Sequence, residues 1–156
     1  MNDSVFLTVA EALDKLELHY RKEENVFHLV MNEEAADFTF LLVADDENEA
    51  LTVVGYLPVK VPQDQIDRMC RVINDLNYKY PFGALVIDPE DGELSYRMAN
   101  NVDDGAVNVK IVQTCFLQVL ARLKYSYGEI MRSLFGGPQV TFRLPGGDDT
   151  TPSSLS

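Results

Sequence analysis

The chain has 156 residues, enough for one domain with a hydrophobic core, and its 46% hydrophobic and 24% charged residues are typical of globular proteins. The 13 basic and 25 acidic residues give a formal net charge of −12. Such a surface repels phosphate backbones and anionic lipid, which argues against nucleic-acid and membrane partners. The acidity could steer basic partners or simply keep the protein dispersed, and composition does not choose between these.

The sequence also argues against a membrane span and a secretory signal. No apolar run approaches the roughly 20 residues that a membrane-spanning helix needs. The first stretch, MNDSVFLTVAEALDKL, carries acidic residues early and has no basic segment. We therefore expect a cytoplasmic protein.

The first half of the chain predicts one helix followed by strands. Thr8 and Glu11 have the spacing of a capping box, and apolar residues follow at helical spacing, so we place the helix start near Thr8. Three apolar, β-branched and aromatic runs come next, separated by polar turns that are short enough for hairpins. They predict strands at residues 26–31, 37–44 and 51–57. An additional short strand within residues 16–20 stays open.

A second helix is predicted after the prolines that close this region. Pro62 suits the first turn of a helix, and Pro81 ends it. Apolar side chains recur at steps of three and four at Ile66, Met69, Cys70, Ile73, Leu76 and Tyr80. Residues 82–87 and 94–99 then form a hairpin pattern around the turn of residues 88–92. Proline early in that turn and glycine at its end favour a type I turn with a left-handed closing residue.

The third predicted helix is the longest and runs from about Gly105 to Phe135. Gly128 could kink or split it, because glycine in a helix interior costs about 1 kcal/mol relative to alanine. From Gly136 the composition changes to Gly, Pro, Ser and Thr. We therefore predict a single domain at residues 1–135 and a flexible tail at residues 136–156.

The element order predicts an α+β fold, α-βββ-α-ββ-α, with a mainly antiparallel sheet and helices packed on it. Two of the strands are apolar on both faces. Phe38, Phe40 and Leu42 alternate with Leu41 and Val43, whereas a sheet with one wet face should alternate apolar with polar residues. Something should therefore cover the second face. The three helices could do so by dividing between the faces, or a second copy or a client segment could do so.

Catalytic and metal-binding patterns are weak in this sequence. It has no phosphate-binding loop and no nucleophile elbow, and His19 and His28 lack partners for a metal set. We interpret the acidic clusters at residues 45–47 and 88–93 as hairpin turns and the two cysteines, Cys70 and Cys115, as small buried side chains. We expect no enzymatic activity, no cofactor and no metal.

Aromatic and methionine side chains cluster at the end of the third helix. Most of them should be core, but any exposed members would make good contact anchors. The candidate partner or dimer surface consists of Tyr125, Tyr127, Met131, Leu134 and Phe135.

The stretch VPQDQIDRMCRVINDLNYKYPFGALVIDPEDGELSYRMAN resembles the middle of a YbjN-domain protein. The resemblance rests on Leu76-Asn77, on Gly83, on the acidic hairpin at residues 88–92 and on Tyr96-Arg97. The second asparagine of the family's "LN..N" pattern is missing. The long helix and its Gly-Gly exit also fit, and the resemblance covers roughly residues 8–137.

The resemblance implies the fold of type III secretion chaperones, which are small, acidic and commonly homodimeric. We therefore expect a non-enzymatic protein-binding module, chaperone- or adaptor-like, with a protein client or a second copy as its partner. A regulatory role in bacterial signalling or stress response is a further expectation, as the family label mentions sensory transduction regulation. The alternative is a small-molecule-sensing regulator with a pocket between sheet and helices.

Overall fold

The computed structural model describes residues 4–101 and 108–136 and contains three helices and six strands there. The elements are α1 (Val5–Lys15), β1 (Arg21–Glu23), β2 (Val26–Asn32), β3 (Asp37–Asp45), β4 (Ala50–Lys60), α2 (Ile66–Tyr78), β5 (Ala84–Ile87), β6 (Glu93–Asn101) and α3 (Val109–Phe135). The predicted α+β class and element order are confirmed, with the short β1 added. The tail predicted to be flexible lies, from residue 137, outside the described residues.

The six strands form one sheet in the order β1-β2-β3-β4-β6-β5, and every neighbouring pair is antiparallel. The first four strands form a meander in chain order. The chain then leaves the sheet through α2 and returns as the β5–β6 hairpin, with β6 against β4 and β5 at the edge. The left-handed closing residue predicted for the turn at residues 88–92 is confirmed, because Gly92 has a φ of 77°.

The predicted capping box of the first helix is wrong, because α1 begins one turn earlier. Ser4 is its N-cap, and the Ser4 hydroxyl accepts a backbone N–H from the first turn at 3.0 Å. Asp46, from the β3–β4 turn, accepts the N–H of Val5 at 2.6 Å. Thr8 lies inside the helix, and its hydroxyl donates to the Ser4 carbonyl. The Asp46 carboxylate, 41 residues away in sequence, thus accepts a free backbone N–H at the start of the helix, which is the role predicted for Glu11.

Two strand boundaries also differ from the prediction. β4 continues past residue 57 and through Pro58 to Lys60, and its register with β6 shifts between Tyr56 and Lys60. Such a shift tolerates a proline, which has no N–H to give to the ladder. The short first strand lies at residues 21–23, whereas residues 16–20 form no strand.

The helices α2 and α3 differ from prediction in detail. Pro62 precedes a short 3₁₀ turn, and α2 begins after it. α3 is one continuous helix through Gly128, so the proposed split is wrong. Cys115 is buried as expected, but Cys70 is exposed, because it lies beside the buried stripe of α2 and not on it.

All three helices pack on the same face of the sheet. Ring contacts join Phe27 to Phe6 of α1 and Phe40 to Phe116 of α3, with centroids 4.9 Å and 4.7 Å apart. The buried side chains of α2 belong to the same apolar cluster as Leu85 of β5. The alternative in which the helices divide between the two faces is therefore wrong.

Candidate protein-binding surface

The face of the sheet opposite the helices carries a row of apolar side chains. The strand register places Leu41 of β3 between His28 of β2 and Val54 of β4, and it pairs Val43 with Val26. Side chains alternate between faces along a strand, so these residues point away from the helix-covered core. The open-face patch, as we call this set, comprises Val26, Val30, Leu41, Val43, Val54 and Tyr56.

Val54 shows most clearly that this patch is separate from the core. It is only 8% exposed, yet it does not belong to the apolar cluster formed by the sheet and the three helices. Every other buried apolar residue in the described part of the chain belongs to that cluster. Neighbouring side chains on the open face therefore bury Val54 without a covering layer. Towards the β2 edge, Val30 is 53% exposed.

Polar groups of both charge signs surround the open-face patch. Glu23 lies 3.8 Å from Arg21 and 3.7 Å from His28 at the β1–β2 edge. Arg97, exposed on β6, stands opposite Val54. Charges of both signs therefore border this face, in a chain that as a whole is strongly acidic.

A hollow of about 290 Å³ lies at the β5–β6 end of the open face and is lined by Val86, Ile87, Asp88, Glu93, Ser95 and Arg97. Tyr56 borders this region, across from Ser95. Burial raises the pKa of the Tyr56 phenol, the Glu93 carboxylate adds to the rise, and Arg97 opposes it. Tyr56 therefore stays neutral and keeps its hydroxyl available for hydrogen bonding.

The five residues predicted at the end of α3 do not share one environment. Tyr127 packs edge-on against Phe38, with centroids 5.7 Å apart, and Leu134 also packs against the core. Tyr125 and Phe135 are 51% and 67% exposed, and Met131 is half-buried. A partner surface at this end of α3 stays a prediction, now centred on its exposed members.

An exposed aromatic corner, not predicted from the sequence, lies next to Tyr125. The guanidinium of Arg122 sits between two rings, 3.9 Å from the Tyr80 centroid and 4.9 Å from that of Tyr125. Phe82 packs edge-on against Tyr80 and is itself exposed. The aromatic residues Tyr80 and Phe82, just before β5, are the feature of the sequence from which this corner could have been predicted. Through these cation–π contacts, Arg122 connects α3 to the segment that leads into β5.

A groove of about 630 Å³ separates α2 from α3. Arg68 bridges its end, donating to the Ser133 hydroxyl at 2.7 Å and to the Ser133 carbonyl at 2.8 Å. Side chains of both charge signs line it: Asp67, Arg68, Arg71, Asp75, Lys79 and Glu129. The groove lies between two helices, whereas the ligand pocket of the alternative hypothesis was expected between sheet and helices.

Two observations concern metal binding and thiol chemistry among the described residues. Within residues 4–101 and 108–136, no three His, Cys, Asp or Glu side chains are grouped so as to hold a metal ion. Burial raises the pKa of the Cys115 thiol, and a hydrogen bond from Asn100 offsets this only in part, so the thiolate is disfavoured. None of the helices in this part of the chain is both long and apolar enough to span a bilayer.

Comparison with known proteins supports the resemblance seen in the sequence. The model of the YbjN family, described as "Putative bacterial sensory transduction regulator", matches residues 8–123. No curated protein matches the chain. The crystal structure of YbjN from E. coli is similar at a TM-score of 0.63 and 12% identity, covering 86% of this chain and 96% of that one.

Two protein complexes contain chains of similar fold. A chain of the HopA1–SchA chaperone–effector complex has a TM-score of 0.55 and 13% identity, covering 78% of this chain and 91% of that one. A chain of the ExsC–ExsE complex has a TM-score of 0.52 and 16% identity, covering 83% and 92%. At these identities the likeness shows the fold, and the expected chaperone-like fold is confirmed.

Proposed function

Because this chain belongs to the YbjN family, we propose that it is a non-enzymatic protein-binding module of chaperone or adaptor type, working as a homodimer. The observation that carries the proposal is the open-face patch, an apolar surface that none of the three helices covers. The solved chaperone–effector complex shows a chain of this fold bound to another protein. In our proposal the partner that covers the patch is a second copy.

The size of the open face suits an interface. Six strands about 4.8 Å apart and about seven residues of about 3.3 Å each give a face of roughly 600 Å². This area includes both the apolar patch, on β2, β3 and β4, and its polar rim. A standard interface buries about 800 Å² on each partner, so the whole face, with the relief of its side chains, is of the order required.

The charges also favour approach through this face. Two copies that each carry a net charge of −12 repel one another over most of their surfaces. On the open face, the cations Arg21 and Arg97 stand among the acids Glu23, Asp88 and Glu93, so opposite charges could pair across a two-fold interface there. Face-to-face pairing would also bury Leu41 and Val43 under the partner's apolar side chains.

The proposal is tested by the solution mass of the full chain, measured by light scattering over a range of concentrations. The wild type should show twice the chain mass of 17.5 kDa. Leu41→Lys places a charge on the open face and should shift the protein to monomer. Leu117→Lys on the outer side of α3, where Leu117 is 48% exposed, is the matched control and should leave the dimer intact.

A wild-type monomer at all concentrations, or a Leu41→Lys variant that stays dimeric and folded, would overturn the homodimer. The wider proposal of protein binding is then tested by a photo-cross-linking side chain at position 41 or, as control, at position 117, in cells that produce the protein. Repeated capture of the same protein from position 41 alone supports a client on the open face. No specific product from either position would refute protein binding through this face.

The remaining parts of the proposal are a regulatory role in bacterial signalling or stress response and residence in the cytoplasm. The family description supports the regulatory role. The acidic composition and the lack of a membrane-spanning helix in the described part of the chain are compatible with the cytoplasm. The alternative of a small-molecule sensor receives no specific support, since the described groove lies between α2 and α3 and is lined by charges of both signs.

A further inference from the structure

The outer edge of β5 is occupied by a side chain instead of a strand. The Asn77 amide nitrogen, in the last turn of α2, donates to the Leu85 carbonyl at 3.1 Å. The Asn77 amide oxygen accepts the Leu85 N–H at 2.8 Å. One side chain thus takes both outward backbone groups of one residue, as a neighbouring antiparallel strand would do.

The position of Leu85 makes this contact effective. Asp88 donates its N–H to the Glu93 carbonyl, and the direction of backbone hydrogen bonds alternates from residue to residue along the strand. The backbone N–H and C=O groups of Ala84 and Val86 therefore point to β6, and those of Leu85 point outward. β5 has only four residues, so Leu85 supplies the outward groups near its middle. An incoming strand would have to displace Asn77 to form its first pair of bonds.

The opposite edge of the sheet is protected in a different way. β1 has three residues, Arg21, Lys22 and Glu23, and all three are exposed. Short, charged edge strands discourage pairing between sheets. The short β5 is apolar by contrast, with the sequence ALVI, and it lacks this protection.

We infer that Asn77 is an edge lock, which closes β5 to strand pairing and so confines association between copies to the open face. The inference rests on the proposed function for the choice of the open face. The lock itself does not depend on it, because the two hydrogen bonds lie within one chain. The lock requires a side chain that carries both a hydrogen-bond donor and a hydrogen-bond acceptor and that has the length of asparagine.

The lock is tested by amide hydrogen exchange at residue resolution. In Asn77→Ala, the Leu85 N–H should exchange about tenfold faster or more, since it loses its one bond, while the Val86 N–H, which faces β6, should keep its protection. Asn77→Asp keeps the acceptor and loses the donor, so it should protect the Leu85 N–H better than alanine does. Asn74→Ala, on the exposed side of α2, is the matched control.

Association is measured in the Leu41→Lys background, in which the open face is blocked. Adding Asn77→Ala there should produce concentration-dependent association through β5, and adding Asn74→Ala should not. Unchanged exchange at Leu85, or equal acceleration at Leu85 and Val86, would overturn the lock. Faster exchange at Leu85 without new association would show that Asn77 does not prevent pairing through β5. Failure of the homodimer proposal would show separately, in the mass of the wild type.

Discussion

α3 packs tightly against the sheet at Gly55, so we expect Gly55→Ala to destabilise the protein. A Cβ at Gly55 would overlap Leu123 Cδ1 and would lie 3.1 Å from both Leu123 Cγ and Val119 Cγ1. Leu123 and Val119 are fully buried, so neither can move into solvent. Overpacking of this kind costs about 1–3 kcal/mol, whereas alanine gains about 0.5–1 kcal/mol over glycine in a strand. The net loss should be about 1 kcal/mol and at most about 2.5 kcal/mol.

The measurement is the free energy of unfolding from urea titration, with Gly128→Ala as the matched control. A Cβ at Gly128 would lie 3.6 Å from Arg132 Nη2, which is an ordinary van der Waals contact. Because Gly128 lies inside α3, alanine should stabilise the protein by about 1 kcal/mol. The same chemical change should thus have opposite signs at the two sites.

A double-mutant cycle separates this clash from any other effect at Gly55. Leu123→Ala alone should cost about 2–5 kcal/mol by leaving a cavity. Combined with Gly55→Ala, it should cost less, because the new methyl group enters the space that Leu123 leaves. If Gly55→Ala is as stable as the wild type, or if the two changes are additive, the argument for close packing of α3 on β4 is refuted.

Three further predictions concern local contacts. Asp46→Ala should lower the free energy of unfolding by about 0.5–2 kcal/mol, because its carboxylate caps α1, and Glu47→Ala should change it little in the same urea titration. In the folded protein at about pH 8, a thiol reagent should modify Cys70 and spare Cys115, whose thiol is buried and whose pKa is raised; equal rates would contradict that burial. The free energy of unfolding should fall as the pH rises above about 10, because burial raises the pKa of Tyr96 and the unfolded chain ionises first. Tyr96→Phe should weaken this dependence.

Features that depend on neighbouring residues could be predicted from the sequence. The hairpin turn at residues 88–92 follows from its proline and glycine, and a bond from the Gly92 N–H to the Asp88 carbonyl, 2.8 Å long, closes it. The two apolar faces of β3 were visible because strand side chains alternate. The sequence therefore predicts that Leu41 and Val43 belong to a second apolar face. It does not predict that this is the face without helices.

Features that depend on contacts between distant segments could not be predicted. The start of α1 depends partly on Asp46, which accepts the Val5 N–H from a turn far along the chain, although its N-cap, Ser4, is local. The bonds of Asn77 to Leu85 exist only where α2 packs beside β5, so residues next to Asn77 in sequence do not predict them. A pattern of single residues does not carry such information, because the partner is chosen by the fold.

The one-sided layering of this domain explains why the open face should recruit a partner. α3 is 27 residues long, or roughly 40 Å, and with Gly55 beneath it this helix packs directly onto the centre of the sheet. α1 and α2 lie on that same face, and together the three helices complete one core. The apolar residues of the other face gain nothing from this arrangement, since even the buried Val54 lies outside the core cluster. With Asn77 closing one edge and charged β1 protecting the other, we propose that association is driven by burying the apolar area of the broad open face.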